Sequence, residues 1–101
     1  MESKMVTLKL NFFPPFNELD KKAEKELKFD KEITLSELID LLYKKYGDKF
    51  KSLVWENNKN KQFHRQLAII INGRTYKHEN YLQTVLKDQD DISFLYEFFG
   101  G

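Results

Sequence analysis

The sequence predicts an α+β domain: a mixed sheet of four or five strands packed on one main helix. Three observations carry that reading. Apolar runs with strand character lie near both ends, at residues 5–13 and 92–96. Between them, residues 34–46 show the chain's strongest helical periodicity. In the second half, Asn72-Gly73 sits between two strand-like runs and marks a tight hairpin, because both residues tolerate positive φ.

The elements follow in order. Residues 5–13 put Val6, Leu8, Leu10 and Phe12 on one face and Thr7, Lys9 and Asn11 on the other, the alternation of a half-buried strand. Pro14-Pro15 ends it, since proline cannot donate to a ladder. Residues 16–22 form a connector with room for one helical turn. Residues 25–29 alternate again, with Leu27 and Phe29 opposed to Lys28, and could pair with the first strand across a long loop. Over residues 34–46, Leu35, Leu38, Ile39, Leu42, Tyr43 and Tyr46 form an amphipathic helical stripe. Thr34 with Glu37 makes a capping box, Lys44 and Lys45 suit the helix C-terminus, and Gly47 fits the left-handed closing position. Residues 48–55, with Phe50, Leu53, Val54 and Trp55, predict a second short helix; Tyr46 and Trp55 read as core at the helix ends. Residues 56–61 are a polar loop. The continuous apolar run Leu67–Ile71 predicts a strand buried on both faces. Residues 74–77 return from the Asn-Gly turn. Residues 78–85 are irregular, with Tyr81, Leu82 and Leu86 as anchors. Residues 87–91 form a polar turn, and residues 92–96 are the last strand, leading to Gly100-Gly101. The first and last strands are the most apolar and should lie together at the sheet centre. The helical crossover between the two halves makes that pair parallel. This is the β-grasp order, with residues 1–99 as the domain and 100–101 as a diglycine tail.

Bulk properties narrow the function. A chain of 101 residues is one small domain. A net charge of +1 gives no electrostatic footprint for nucleic acid. The absence of cysteine excludes disulfides, thiolate metal sites and a cysteine nucleophile within the chain. No apolar run approaches a membrane span, and the first residues lack a signal-peptide pattern, so a cytoplasmic location is expected. His64 and His78 are isolated and read as surface residues. Asp88, Asp90 and Asp91 lack the remaining ligands of a calcium loop and read as a solvated turn. No nucleophile, base and oxyanion set is present, so a free-standing enzyme is not expected.

The strand order, together with particular residues, resembles the ubiquitin-like sulfur carriers, most closely the small subunit of molybdopterin synthase in its longer archaeal form. Phe12-Phe13 at the end of the first strand, Thr34-Leu35-Ser36-Glu37-Leu38 at the helix start and Lys45-Tyr46-Gly47 at its end carry the resemblance. So do Ile71-Asn72-Gly73, Leu86-Lys87-Asp88, residues 90–95 and the terminal Gly100-Gly101. The chain departs from the family pattern at Tyr96-Glu97, where Pro-Pro is usual, at Phe99, where a small residue is common, and at Asp88-Gln89-Asp90, where a glycine is usual. Without the prolines the last strand is free to run further.

The resemblance implies a role for the tail. The Gly101 carboxylate, with an ordinary pKa near 3.5, is ionised and unreactive until activated. A partner of the ubiquitin-activating adenylyltransferase type uses ATP to adenylate Gly101, and a sulfur donor protein then leaves a thiocarboxylate there. The molybdopterin synthase large subunit receives the sulfur, so this chain is a non-catalytic, sulfur-carrying subunit that binds no cofactor itself. Glycine at 100 and 101 lets the tail enter a narrow channel. Docking calls for an exposed apolar patch near the tail. Phe13 and Leu95 are out of phase with the inward residues of their strands, and Phe98 and Phe99 complete the candidate set. The alternatives are a ubiquitin-like modifier joined through Gly101 to lysines, a carrier for thiamine synthesis or tRNA thiolation, and a plain interaction domain with an idle tail.

Overall fold

The computed structural model describes residues 5–56, 62–77 and 79–97. Five strands form one mixed sheet in the order β2-β1-β7-β4-β5. These are β1 (Val6–Phe12), β2 (Glu24–Phe29), β4 (Leu67–Ile71), β5 (Arg74–Tyr76) and β7 (Asp91–Tyr96). A separate two-residue pair joins β3 (Ile33–Thr34) to β6 (Val85–Leu86). Two helices follow one another, α1 (Leu35–Tyr46) and α2 (Asp48–Val54).

β1 and β7 are parallel neighbours at the centre, with Lys9 opposite Asp91 and Phe12 opposite Phe94. The other pairings in this sheet are antiparallel. The arrangement is the ubiquitin-like β-grasp fold. Alternation explains the layering. Val6, Leu8, Leu10 and Phe12 of β1, Leu67, Ile69 and Ile71 of β4, and Ile92 and Phe94 of β7 share one buried face. Leu35, Leu38, Ile39 and Leu42 of α1 pack into the same core. The capping box is formed: the Thr34 hydroxyl accepts from the Glu37 amide, and the Glu37 carboxylate accepts from the Thr34 amide. Gly47 closes α1 at φ 78°, as its type allows.

Several details differ from the sequence reading. The β3–β6 pair was not expected, since two-residue strands carry no periodicity. The connector after β1 holds a 3-10 turn, Phe16–Glu18, and Phe16 is fully buried among the rings of Phe12, Phe50, Phe94 and Tyr96. β4 is less enclosed than a two-sided core strand, because Ile70 on the open face is only half-buried. Tyr81 is an edge contact rather than an anchor. It lies in a 3-10 segment, Glu79–Gln83, 41% exposed, with its ring edge-on to Tyr76 at 4.7 Å. Leu82 packs partly against the core and Leu86 is fully buried.

Candidate functional site

The candidate site is the corner where β7 ends. β7 is held on both edges, by β1 and by β4, so its end is fixed by the middle of the sheet. The first loop is stitched to it. The Phe13 amide donates to the Phe94 carbonyl (3.0 Å), and the Tyr96 amide donates to the Pro14 carbonyl (3.4 Å). On the other side the Glu97 amide donates to the Gln66 carbonyl (2.7 Å).

Tyr96 is the anchor of this corner. Its phase matches Ile92 and Phe94, so the ring turns inward. The phenol donates to the Leu53 carbonyl at the end of α2 (2.6 Å). The ring stacks on His64, 4.6 Å between centroids and 17° between planes, and meets Phe16 edge-on at 5.7 Å. His64 is itself held, with Nδ1 accepting from the Gln66 amide (3.1 Å) and its own amide donating to the Val54 carbonyl (2.7 Å). Burial, with a smaller contribution from the Glu56 carboxylate, pushes the Tyr96 phenol up to about 12. Glu97 then forms an ion pair with Lys77, which follows β5.

The open face beside this corner carries two of the predicted docking residues, Phe13 and Leu95. Asn11 donates its side-chain amide to both Asp91 and Ser93, so odd-numbered residues of β1 and β7 share that face. Continuing the register by one step beyond Phe12 and Phe94 puts Phe13 next to Leu95. Phe13 is 49% exposed. Leu95 is half-buried, opposite Ala68 in the β4 ladder. The structure therefore brings Phe13 and Leu95 together at the strand exit. Phe98, Phe99, Gly100 and Gly101 lie outside the described residues, as does His78.

Sequence reasoning missed Leu53, His64, Gln66 and Lys77 as supports of this corner. The inward phase of Tyr96 was legible; its partners, distant in sequence at Leu53, His64 and Phe16, were not. His64, read as a surface residue, is half-buried in the stack with Tyr96. Tyr96 and Glu97 both use their amide hydrogens, which proline could not supply. The aspartates of the 87–91 turn are exposed or half-buried but engaged: Asp88 accepts from the Thr7 amide, and Asp90 from the Lys87 amide and the Asn72 side chain. Among the described residues, no group of three or more acidic or histidine side chains could hold a metal ion. No helix among them is long and apolar enough to cross a membrane.

Residues 10–101 match the model of the ThiS family. No curated protein matches the chain. Among solved structures, small archaeal modifier protein 1 from Methanosarcina acetivorans is 26% identical, with a TM-score of 0.72, covering 97% of this chain and 99% of that one. The HVO 2177 protein of Haloferax volcanii is 24% identical, with a TM-score of 0.74 and coverage of 96% and 88%. A putative molybdopterin converting factor subunit 1 from Pyrococcus furiosus is 23% identical, with a TM-score of 0.69 and coverage of 92% and 99%. The last two likenesses establish fold.

Proposed function

The chain belongs to the ThiS family of ubiquitin-like sulfur carriers, and from that premise we propose that it carries sulfur as a thiocarboxylate on Gly101. One observation carries the reading: a central strand, fixed on both edges, ends beside the apolar pair Phe13 and Leu95 and points the chain into the sequence Phe98-Phe99-Gly100-Gly101. The proposed chemistry occurs in partners. A carboxylate oxygen of Gly101 attacks the α-phosphate of ATP in an adenylyltransferase, and pyrophosphate leaves. A sulfide sulfur then attacks the acyl carbon, AMP leaves, and a thiocarboxylate remains. Where the donor is a protein persulfide, its outer sulfur attacks the acyl carbon and AMP leaves; a second thiol then attacks the donor's inner sulfur, the thiocarboxylate leaves and the donor is left as a disulfide with that thiol. In this reading Phe13, Leu95, Phe98 and Phe99 bind the partner, and Gly100 lets the chain thread a narrow channel. We place the acceptor in the large subunit of molybdopterin synthase, on the strength of the Phe12-Phe13, Asn72-Gly73 and Leu86-Lys87-Asp88 matches.

Incubation with the cognate activating enzyme, ATP and a sulfur source should give the mass gain of one oxygen-to-sulfur exchange, located by fragmentation at Gly101. An unchanged mass with a competent enzyme overturns the carrier reading. Co-purification with the large subunit, lost on removing residues 100–101, tests the acceptor.

A second reading, a protein modifier joined through Gly101 to lysines, is favoured by the 26% identity to the Methanosarcina modifier protein over nearly the whole of both chains. It expects conjugates that survive denaturing purification and vanish when Gly101 is deleted. The two readings share the adenylate and are compatible in one chain.

A further inference from the structure

We infer that Tyr96 and Glu97 are positioning residues: they fix where the chain leaves the body beside the Phe13–Leu95 surface, and so set the point from which residues 98–101 must reach. The inference rests on the carrier reading above and adds to it a rigid exit and a set tail length.

The argument starts from how many independent groups converge on two consecutive residues. The Tyr96 side chain is held by a hydrogen bond to Leu53, a stack on His64 and an edge contact with Phe16. These come from α2, the loop before β4 and the loop after β1. The Glu97 amide is held by Gln66, and its carboxylate by Lys77. A strand end that merely frayed into solvent would need none of these. Phe13, at the docking surface, hangs from the same corner through its bond to Phe94 and through the Pro14–Tyr96 bond. The surface that binds and the point where the tail departs therefore move as one body.

Residues 98–101 carry the chain from Glu97 to the Gly101 carbonyl. Fully extended, four residues span at most about 14 Å. A partner that grips Phe13 and Leu95 thus needs its reaction centre within that reach of the exit. One added residue moves that carbonyl by about 3 Å, and misplacement of a reacting group by about 1 Å can cost a hundredfold in rate. Each tethering contact resists a change in exit direction, and the ion pair and strand bond at Glu97 resist a change in length.

The test compares tail length with exit rigidity. One glycine is inserted between Glu97 and Phe98, in the native chain and in a chain carrying Glu97→Pro and Lys77→Ala. Single-turnover activation of Gly101 by the adenylyltransferase is measured by mass spectrometry. In the native background, insertion should lower the maximal rate by about tenfold or more while leaving the partner concentration for half-saturation unchanged. In the released background, the same insertion should cost much less, because the exit no longer sets the length. Equal insertion penalties in both backgrounds overturn the inference. Hydrogen exchange on the protein alone supplies a readout free of any partner. The Glu97 amide should be protected in the native chain and lose protection in Tyr96→Ala. Tyr96→Phe keeps the stack and should retain most of it. An unprotected Glu97 amide in the native chain overturns the fixed exit whatever the partner does. If the native chain is never activated, the carrier reading falls, while the exchange result still decides the exit.

Discussion

Asn72 shows how one residue serves two elements. Its φ of 51° and the following Gly73 at 87° give the tight turn between β4 and β5. Its side chain also donates to Asp90 (2.8 Å) and accepts from the Asp91 amide (2.9 Å), tying that turn to the start of β7. The turn was legible from Asn-Gly; the second role was not, because Asp90 and Asp91 are some 18 residues further on. Asn72→Gly keeps the backbone and loses the side-chain bonds, so denaturant titration should show a loss of about 1 kcal/mol. Asn72→Ala adds the left-handed penalty of about 1 kcal/mol more. A second residue-scale case is Asp20, whose carboxylate accepts from Lys25 (2.5 Å) and Tyr46 (2.6 Å). The Lys25 contact first, then Tyr46, holds its carboxyl well below the usual carboxylate range. A depressed folded-state pKa contributes stability above the ordinary value near 3.9 and loses it as pH falls below that value. Asp20→Asn should therefore destabilise the protein at neutral pH, and the gap between variant and native should close as pH drops below about 4. Urea midpoints measured across that range check the sign.

At the scale of elements, α1 was legible because every signal for it is local. The apolar stripe, the capping box and the closing glycine all lie within 14 consecutive residues, 34–47, and all are formed except at Tyr43, which the stripe included but which is exposed and donates its phenol to Asp48. Thr34→Ala should cost about 1 kcal/mol by removing the cap. The turn holding Phe16 was illegible for the opposite reason. Nothing near Phe16 in sequence marks it as core; its burial comes from rings brought by β1, α2 and β7. Phe16→Ala should cost about 3–5 kcal/mol, because four neighbouring rings cannot close over the space. Thermal unfolding of the two variants should rank them in that order. β3 and β6 were also missed, being too short to alternate, although the Leu35 amide bond to the Thr84 carbonyl and the Ile33–Leu86 pairing fix them firmly.

At the scale of the molecule, the sheet has one face under α1 and one face open. Phe13 and Leu95 on the open face contribute nothing to the core cluster. Phe13→Asp should leave the unfolding midpoint nearly unchanged while weakening binding to the activating partner by about tenfold or more, as read by titration calorimetry. Equal binding by the variant removes Phe13 from the docking surface. The central parallel pair was legible from the apolar character of both ends and the crossover between them. The way the exit corner is held was not, since its supports come from four separate stretches of chain: residues 13–16, 53–54, 64–66 and Lys77.

That central pair has a consequence for biosynthesis. Lys9 pairs with Asp91, so the seam at the middle of the sheet joins the earliest-made strand to the last. Closing so long a loop is slow and rewards nothing until β7 arrives. Until the ribosome has released β7, β1 has no partner on that edge and β4 lacks its neighbour as well. A chain cut before Asp91 should stay unfolded by circular dichroism, with no stable intermediate of the four other strands of the main sheet. The strand that completes the fold is also the strand that bears the tail. On the proposed carrier reading, an activating enzyme that recognises the folded surface should therefore accept Gly101 only on molecules that have finished folding.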